Sequence, residues 1–477
     1  MCAIASIAPP SPVAETARLP DPQTRGYIVN LVHSLSRNGL QLEIGRVAQA
    51  GFNLFVFPGY SDGWTLYPSE ALRERGLPAI NPLFRKWNPL AEVTALARQA
   101  ELTVWTYARA FDFHPRYSVA EHRLLRKFPH WRQRVHPDCV NAEARRHEHW
   151  HACPLNHEYR RFLADVLCEM VLGYPVDGIV LHFDGLGMHG GPLEDSPYCF
   201  CHDCCLLYYE TFGKDLVSDA AGPKIDRVRA WQLDRIHEHY SYLRHRLIRS
   251  RRTLRVVGRA RPDWRDQPDY PKPPAAGTLL MDWPALLASG AIEELAIDHD
   301  DEPAGPQFGE RLAADYAYLG DRVLFLPILT INDLHELRRP LEVIDRYPVP
   351  GFLAEFASSF TEEEAAFLRE TYFQESAPLP ESEPVRTAAF LLSRIRQSYE
   401  DQPVMYDLLY DILRLLAGQL PQPSDFHTLE VIEQNIHGLE QFIRRGRLGS
   451  MRIPESVMRD LGLARRFARM ACMDVRS

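Results

Sequence analysis

The residues of this chain best suited to chemistry are carboxylates that follow short apolar runs. The stretch DGIVLHFDGLGMHGGPLEDSPYCFCHDCC, from Asp177 to Cys205, shows the pattern most clearly. Its β-branched run GIVLHF reads as a buried strand that delivers His182 and Asp184 into a glycine-rich loop. Side chains two apart on a strand share a face, so His182 and Asp184 point one way and Phe183 the other. Similar runs elsewhere end near Asp62, near Arg109 and Asp112, near Asp263, at Asp298, His299 and Asp300, at Asn332 and Asp333, and at Glu355. Aromatic residues accompany them: Tyr60, Trp64, Tyr67, Trp87 and Trp264. Paired carboxylates beside aromatic platforms suit a sugar. One acid protonates the leaving oxygen, the other attacks or activates water, and the aromatic faces stack on the ring.

The cysteines offer a second chemistry. Four of the nine lie in C-F-C-H-D-C-C, namely Cys199, Cys201, Cys204 and Cys205. An odd total, with four packed together, does not make a disulfide framework in a chain of this size and fits a reducing compartment. Thiolates at such separations can share a tetrahedral metal, and a structural zinc held by these four is the expectation, with His202 a substitute ligand and Cys139 or Cys153 able to complete the site from a distance. Reduced cysteines packed in a loop are the plainer alternative. The run HEHWH, from His147 to His151, does not have the HExxH spacing and reads as a polar loop.

Eight apolar runs position these groups: RGYIVNLVHS from Arg25, FNLFVFPGY from Phe52, LTVWTYARAF from Leu102, GIVLHF from Gly178, TLRVVGRA from Thr253, ELAIDHD from Glu294, RVLFLPILT from Arg322 and GFLAEFASS from Gly351. Helical patterns separate them, including Leu40–Ala50 closed by Gly51 and NHEYRRFLADVLCEMVLGY opened by Asn156 as N-cap. Eight strands alternating with helices predict a (β/α)₈ TIM barrel with insertions, its active site at the carboxyl ends of the strands. A doubly wound open sheet is the competing topology, although no glycine fingerprint for a nucleotide supports it. The expected organisation is a disordered leader over residues 1–24, the barrel over 25–377 and an all-helical C-terminal domain over 378–477. Residues 113–155 form a long insertion rich in His, Arg and Trp. The C-terminal helices carry apolar stripes fit to pack on the barrel or on a second copy of the chain.

With 477 residues, 45% hydrophobic and 25% charged, the chain can bury a large core. A net charge of -9 argues against a nucleic-acid partner. No window approaches a membrane span, and the N-terminus lacks a secretory signal, so a cytoplasmic location is expected.

Several phrases resemble a known family. RGYIVNLVHS, GFNLFVFPGYSDGWTLYPS, VWTYARAFDFHPRY, KFPHW, CPLNHEYRRFLADVLCEMVLGYPVDGI and YCFCHDCCLLYYETFG are together similar to bacterial glycoside hydrolase-like proteins described as family-ten-like. The match runs from about Arg25 to Glu355. It implies a barrel acting on an oligosaccharide or glycoconjugate without an organic cofactor. Such families carry DGI followed by two residues and then an aspartate, and at that position this chain has His182. Asp184 then stands in as nucleophile or stabiliser of an oxocarbenium-like transition state, His182 orients it, and Glu355, Asp298 or Asp300 donates the proton. Tyr60, Asp62, Trp64, Tyr67, Arg109, Asp112, Asp263 and Trp264 are the expected substrate contacts. A carbohydrate-binding protein on an inactive barrel and a metal-dependent hydrolase are the two alternatives.

Overall fold

The computed structural model describes residues 23–29, 36–113, 123–141, 145, 150–183, 186–187, 199–260, 279–289, 291–292, 294–299, 307–319, 323–332, 334–344, 349–356, 360–374, 377, 379–380, 384–397, 426–444 and 455–476. All eight predicted strands form: β1 (Thr24–Ile28), β2 (Leu54–Ser61), β3 (Thr103–Arg109), β4 (Gly178–His182), β5 (Arg255–Ala260), β6 (Glu294–Asp298), β7 (Leu324–Ile331) and β8 (Gly351–Phe356). Neighbours in the chain pair in parallel, and β1 also pairs with β8, Ile28 standing opposite Glu355 and Val56. The sheet therefore closes into a TIM barrel. A two-residue strand, Trp64–Thr65, folds back antiparallel on the end of β2.

Helical crossovers satisfy the parallel pairing, and their ends are capped as the sequence predicts. Helix α1 (Arg37–Ala50) starts at Ser36, whose hydroxyl accepts from Gly39 N at 3.0 Å, and stops at Gly51 with φ of 96°. Helix α2 spans Pro89–Gln99. Helix α3 (His157–Gly173) starts at Asn156, whose Oδ1 accepts from Tyr159 N at 2.8 Å. Helices α4 (Ile225–Ser250), α5 (Trp283–Ala288), α6 (Gln307–Leu319), α7 (Arg338–Ile344) and α8 (Glu362–Thr371) follow in turn.

Alternation along the strands separates two cores. One set of side chains packs outward against the helices, as Phe183 does against Phe111, His239 and Tyr240. The other fills the barrel: Ile28, Leu54, Val56, Trp105, Val180, Val257, Ala296, Leu326, Ile328 and Leu353. Trp105 occupies that interior because its neighbour is Gly178, where an added Cβ would lie 2.7 Å from the indole.

Leu379, inside the PLPESEP segment, joins the same interior cluster, so the chain leaving the barrel also helps to fill it. Beyond it lie helices α9 (Pro384–Gln397), α10 (Phe426–Arg444) and α11 (Glu455–Arg476). They share one apolar cluster with Leu324 at the start of β7, and Arg255 at the start of β5 reaches Met470 Sδ at 3.7 Å. These helices thus sit at the amino end of the barrel, away from the carboxyl rim. The pattern VMYDLLYDILRLLAG and residues 1–22 lie outside the described residues, and Thr24, expected in the leader, already belongs to β1. No helix among the described residues is long and apolar enough to cross a membrane.

Candidate functional site

Continuing the inward alternation by one step brings Arg109, His182, Arg259, Asp298 and Glu355 to the carboxyl rim. Arg109 pairs in register with His182, and His182 with Arg259. The centre of the cluster is Arg259, which the residue patterns of β5 did not single out. Its Nε lies 3.0 Å from both oxygens of Asp298, and its Nη2 lies 2.8 Å from Asp298 Oδ1 and 3.0 Å from Glu355 Oε2. Asp298 is on the adjacent strand, but Glu355 is on β8, so the guanidinium reaches it only by crossing the barrel interior. Burial alone would lower the Arg259 pKa, yet the charges of Asp298 and Glu355 outweigh it and hold the pKa well above the ordinary value. The signal was present in the sequence: a charged residue at the inward parity of RVVGRA, two after Val257, has no place in an apolar barrel without partners.

One nitrogen touches both carboxylates, so their nearest oxygens are no further apart than 2.8 and 3.0 Å laid end to end. That upper bound falls below the roughly 6.5–9.5 Å of inverting glycosidases and is compatible with the about 5–5.5 Å of retaining ones. Tyr107 lies one inward step below Arg109. Burial raises its phenol pKa, Arg109 and Arg259 moderate the rise, and Glu355 and Asp62 add to it, so all five groups share one electrostatic neighbourhood.

The other expected contacts divide. Arg109 Nη1 meets Asp112 Oδ2 at 3.2 Å, both partly exposed at the rim. Asp62 adopts the left-handed region, with φ of 52°, just after β2, and Ser61 Oγ donates to it at 3.2 Å. Trp64 is half-buried opposite Ser61. Tyr60 and Tyr67 are not sugar platforms. Both are fully buried between β2 and α3, Tyr60 with its hydroxyl 3.5 Å from that of Tyr159, and Tyr67 donating to Val166 O at 2.6 Å. A register shift between Pro58 and Tyr60 turns Tyr60 away from the inward parity of Leu54 and Val56 and into the helix layer. His299 likewise turns away from the rim, its Nε2 lying 3.5 Å from the buried Asp315 of α6. Asp184, Asp263, Trp264 and Asp300 lie outside the described residues.

The cysteines form a second, separate cluster. Four thiols, Cys153, Cys199, Cys201 and Cys204, have sulfurs within 4.8 Å of one another, and all four side chains are buried. Cys201 and Cys204 are 3.4 Å apart, Cys153 and Cys204 3.5 Å, and Cys153 and Cys201 3.8 Å. A tetrahedral metal with bonds of about 2.3 Å to sulfur needs edges of about 3.8 Å. Cys199 Sγ accepts from the backbone N–H of Arg134 at 3.1 Å and of Cys201 at 3.4 Å, the donors a thiolate needs when buried. The four could therefore hold a metal ion. Cys205 is not among them, and Cys153 takes its place. Adjacent residues on the helix His202–Phe212 point about 100° apart, so Cys204 and Cys205 cannot face one ion. Cys205 turns to Phe200 O, and burial pushes its thiol up to about 11. His202 is exposed.

The comparisons agree with this architecture. The barrel superimposes on alpha-L-fucosidase isoenzyme 2 from Paenibacillus thiaminolyticus with a TM-score of 0.51 and 15% identity, covering 74% of this chain and 49% of that one. It matches the PgaB (BpsB) glycoside hydrolase domain from Bordetella bronchiseptica with a TM-score of 0.52 and 15% identity, over 73% and 98% of the two chains. The catalytic domain of beta-amylase from Paenibacillus polymyxa gives 0.51 at 10% identity, over 76% and 100%. At these identities the likeness is one of fold. Among curated proteins, none matches in sequence. The model of the family glycosyl hydrolase-like 10 matches residues 27–298, more than half of the chain and reaching from β1 to the end of β6, and the protein belongs to that family.

Proposed function

We propose that the chain cleaves a glycosidic bond in an oligosaccharide or glycoconjugate at the carboxyl rim of the barrel. The observation that carries this reading is the pair Asp298 and Glu355, drawn close by one buried arginine inside a glycoside-hydrolase-like barrel. Asp298 accepts from Arg259 with both oxygens and serves as nucleophile or stabiliser of the positive charge that grows on the sugar. Glu355 meets the arginine through Oε2, and its Oε1 is the atom that would take up a proton and pass it to the leaving oxygen. His182, Arg109 and Asp112 supply polar groups around the ring, with Trp64 at the edge. Asp184, two residues after His182 in the sequence and outside the described residues, is the further acid proposed for this site. The test is release of reducing ends from a panel of oligosaccharides. Asp298→Asn, Glu355→Gln and Asp184→Asn are compared with wild type, and general acid loss is expected to cost about 10²–10⁴-fold in kcat. Turnover of a confirmed substrate unchanged in both Asp298→Asn and Glu355→Gln would sink the assignment.

The same arginine favours a second reading, a carbohydrate-binding barrel without turnover. A carboxylate chelated by both oxygens resembles a structural ion pair, and the usual family acid position holds His182. Glycan binding of equal strength in wild type and Asp298→Asn, with no product from either, would support it.

For the cysteine cluster we propose a structural zinc, held by Cys153, Cys199, Cys201 and Cys204. The support is four buried sulfurs near tetrahedral spacing. Elemental analysis of the purified protein checks it, one zinc per chain being the expected value.

A further inference from the structure

The thiol cluster lies at a junction of three segments, and one of them leads directly to the rim. Residues 150–153 run antiparallel beside 111–113, the end of the segment that leaves β3. Phe113 N donates to Trp150 O at 2.7 Å and Ala152 N to Phe111 O at 3.0 Å, with Asp112 bridged to His151 between them. On its other side the same strap pairs with residues 131–133. Cys153 N donates to Trp131 O at 2.7 Å and Gln133 N to His151 O at 2.9 Å. The strap then ends at Cys153, whose sulfur joins the cluster. The third segment enters through Cys199, whose sulfur accepts from Arg134 N, and Phe200 N, which donates to Arg134 O at 2.8 Å.

A second tie reinforces the junction. Asn156 caps α3 with its Oδ1, and its Nδ2 donates to Asp203 Oδ2 at 2.5 Å in the first turn of the cysteine helix. The ends of two helices and a two-sided strap thus converge on four sulfurs. Asp112, the residue the strap holds, pairs with Arg109 on the rim, and Arg109 stands in register with His182.

We propose that a metal ion held by Cys153, Cys199, Cys201 and Cys204 positions the substrate-binding wall, by pinning the 150–153 strap that keeps Asp112 beside Arg109. This rests on the metal reading above. Without the ion the strap keeps its backbone pairing and the burial of Ala152 and Cys153 but loses its anchor to residues 199–204, and a pairing of so few residues then opens more readily. The Asp298–Glu355 pair has no element in common with the strap, so the ion acts on binding more than on the chemical step.

The experiment uses the full chain, purified with reductant, then stripped by a chelator at neutral pH and reloaded with zinc. Metal content is measured by elemental analysis, and amide exchange is followed by mass spectrometry. Stripping should speed exchange of Gln133, Phe113, Ala152 and Cys153 by about tenfold or more, and zinc should restore it, while β6, β7 and β8 stay unchanged. Cys204→Ser should reproduce the stripped pattern, and Cys205→Ser should keep both metal and protection. If Cys204→Ser fails to fold, the strip-and-reload series still decides. Metal that binds and leaves without altering exchange at Phe113 and Ala152 would overturn the positioning role and leave the zinc centre standing. A chain that takes up no zinc would overturn both. Exchange needs no substrate, so an inactive barrel does not affect this result. In an active one, stripping should raise KM more than it lowers kcat, and a fall in kcat alone would refute the proposal.

Discussion

Removing the guanidinium at Arg259 is the most informative single perturbation. In Arg259→Met the side-chain volume is roughly kept, but Asp298 and Glu355 lose the cation they share. Arg259 is 10% exposed, Asp298 6% and Glu355 16%, so solvent replaces little of what is lost. Two unit charges about 4 Å apart interact by about 4 kcal/mol at the effective dielectric suited to such sites. Breaking a buried pair from one side costs about 3–5 kcal/mol, because the remaining charge is left uncompensated. Here two carboxylates are stranded, so the upper end of that range is expected. In a protein of this size, that is an apparent thermal midpoint lower by about 5 °C. The triple variant Arg259→Met, Asp298→Asn, Glu355→Gln removes the stranded charges and should regain more than half of the loss. Thermal unfolding followed by circular dichroism measures all three proteins. A midpoint for Arg259→Met within 1–2 °C of wild type, or a triple variant no more stable than the single one, would refute the view that this arginine holds the two acids together.

Two further outcomes test other parts of the structure. Gly178→Ala places a methyl group 2.7 Å from the Trp105 ring, which is enclosed inside the barrel, so the variant should lose about 1–3 kcal/mol in denaturant unfolding while Gly173→Ala, in open space, should not. His239 is buried beside Phe111 and Phe183, and its ring N–H donates to Pro154 O. Burial, aided by Arg160 and opposed by the Pro154 bond, lowers its pKa from 6.5 to about 3. The unfolded chain therefore takes up a proton that the folded one refuses, and stability should fall by about 1.4 kcal/mol per unit as pH drops below 6.5. His239→Phe should flatten that slope between pH 6.5 and 5, and an unaltered slope would assign it to other groups.

Much of the fold was legible because barrels depend on local signals. Each strand is a short β-branched run, and each long helix announces its ends, as Ser36, Gly51 and Asn156 do through capping. The eightfold alternation then leaves few topologies, since parallel strands require crossovers and eight can close. The rim was legible in part for the same reason. Position at the end of a strand assigned His182, Asp298 and Glu355 to the carboxyl rim.

The remainder depended on contacts distant in sequence. Tyr60 and Tyr67 have the aromatic character of a sugar platform, but only the packing of β2 against α3 shows their hydroxyls already committed to the interior. Cys205 is adjacent to Cys204 in the chain and is turned away from it by helical geometry, whereas Cys153, about fifty residues upstream, completes the four-sulfur group. Arg259 belongs with Asp298 and Glu355 only because a closed barrel lets one side chain cross its interior from β5 to β8. Residue type and spacing specify what each element is and which face it buries. Which side chains meet across the barrel follows from closure and register, since these bring together atoms that no local pattern relates.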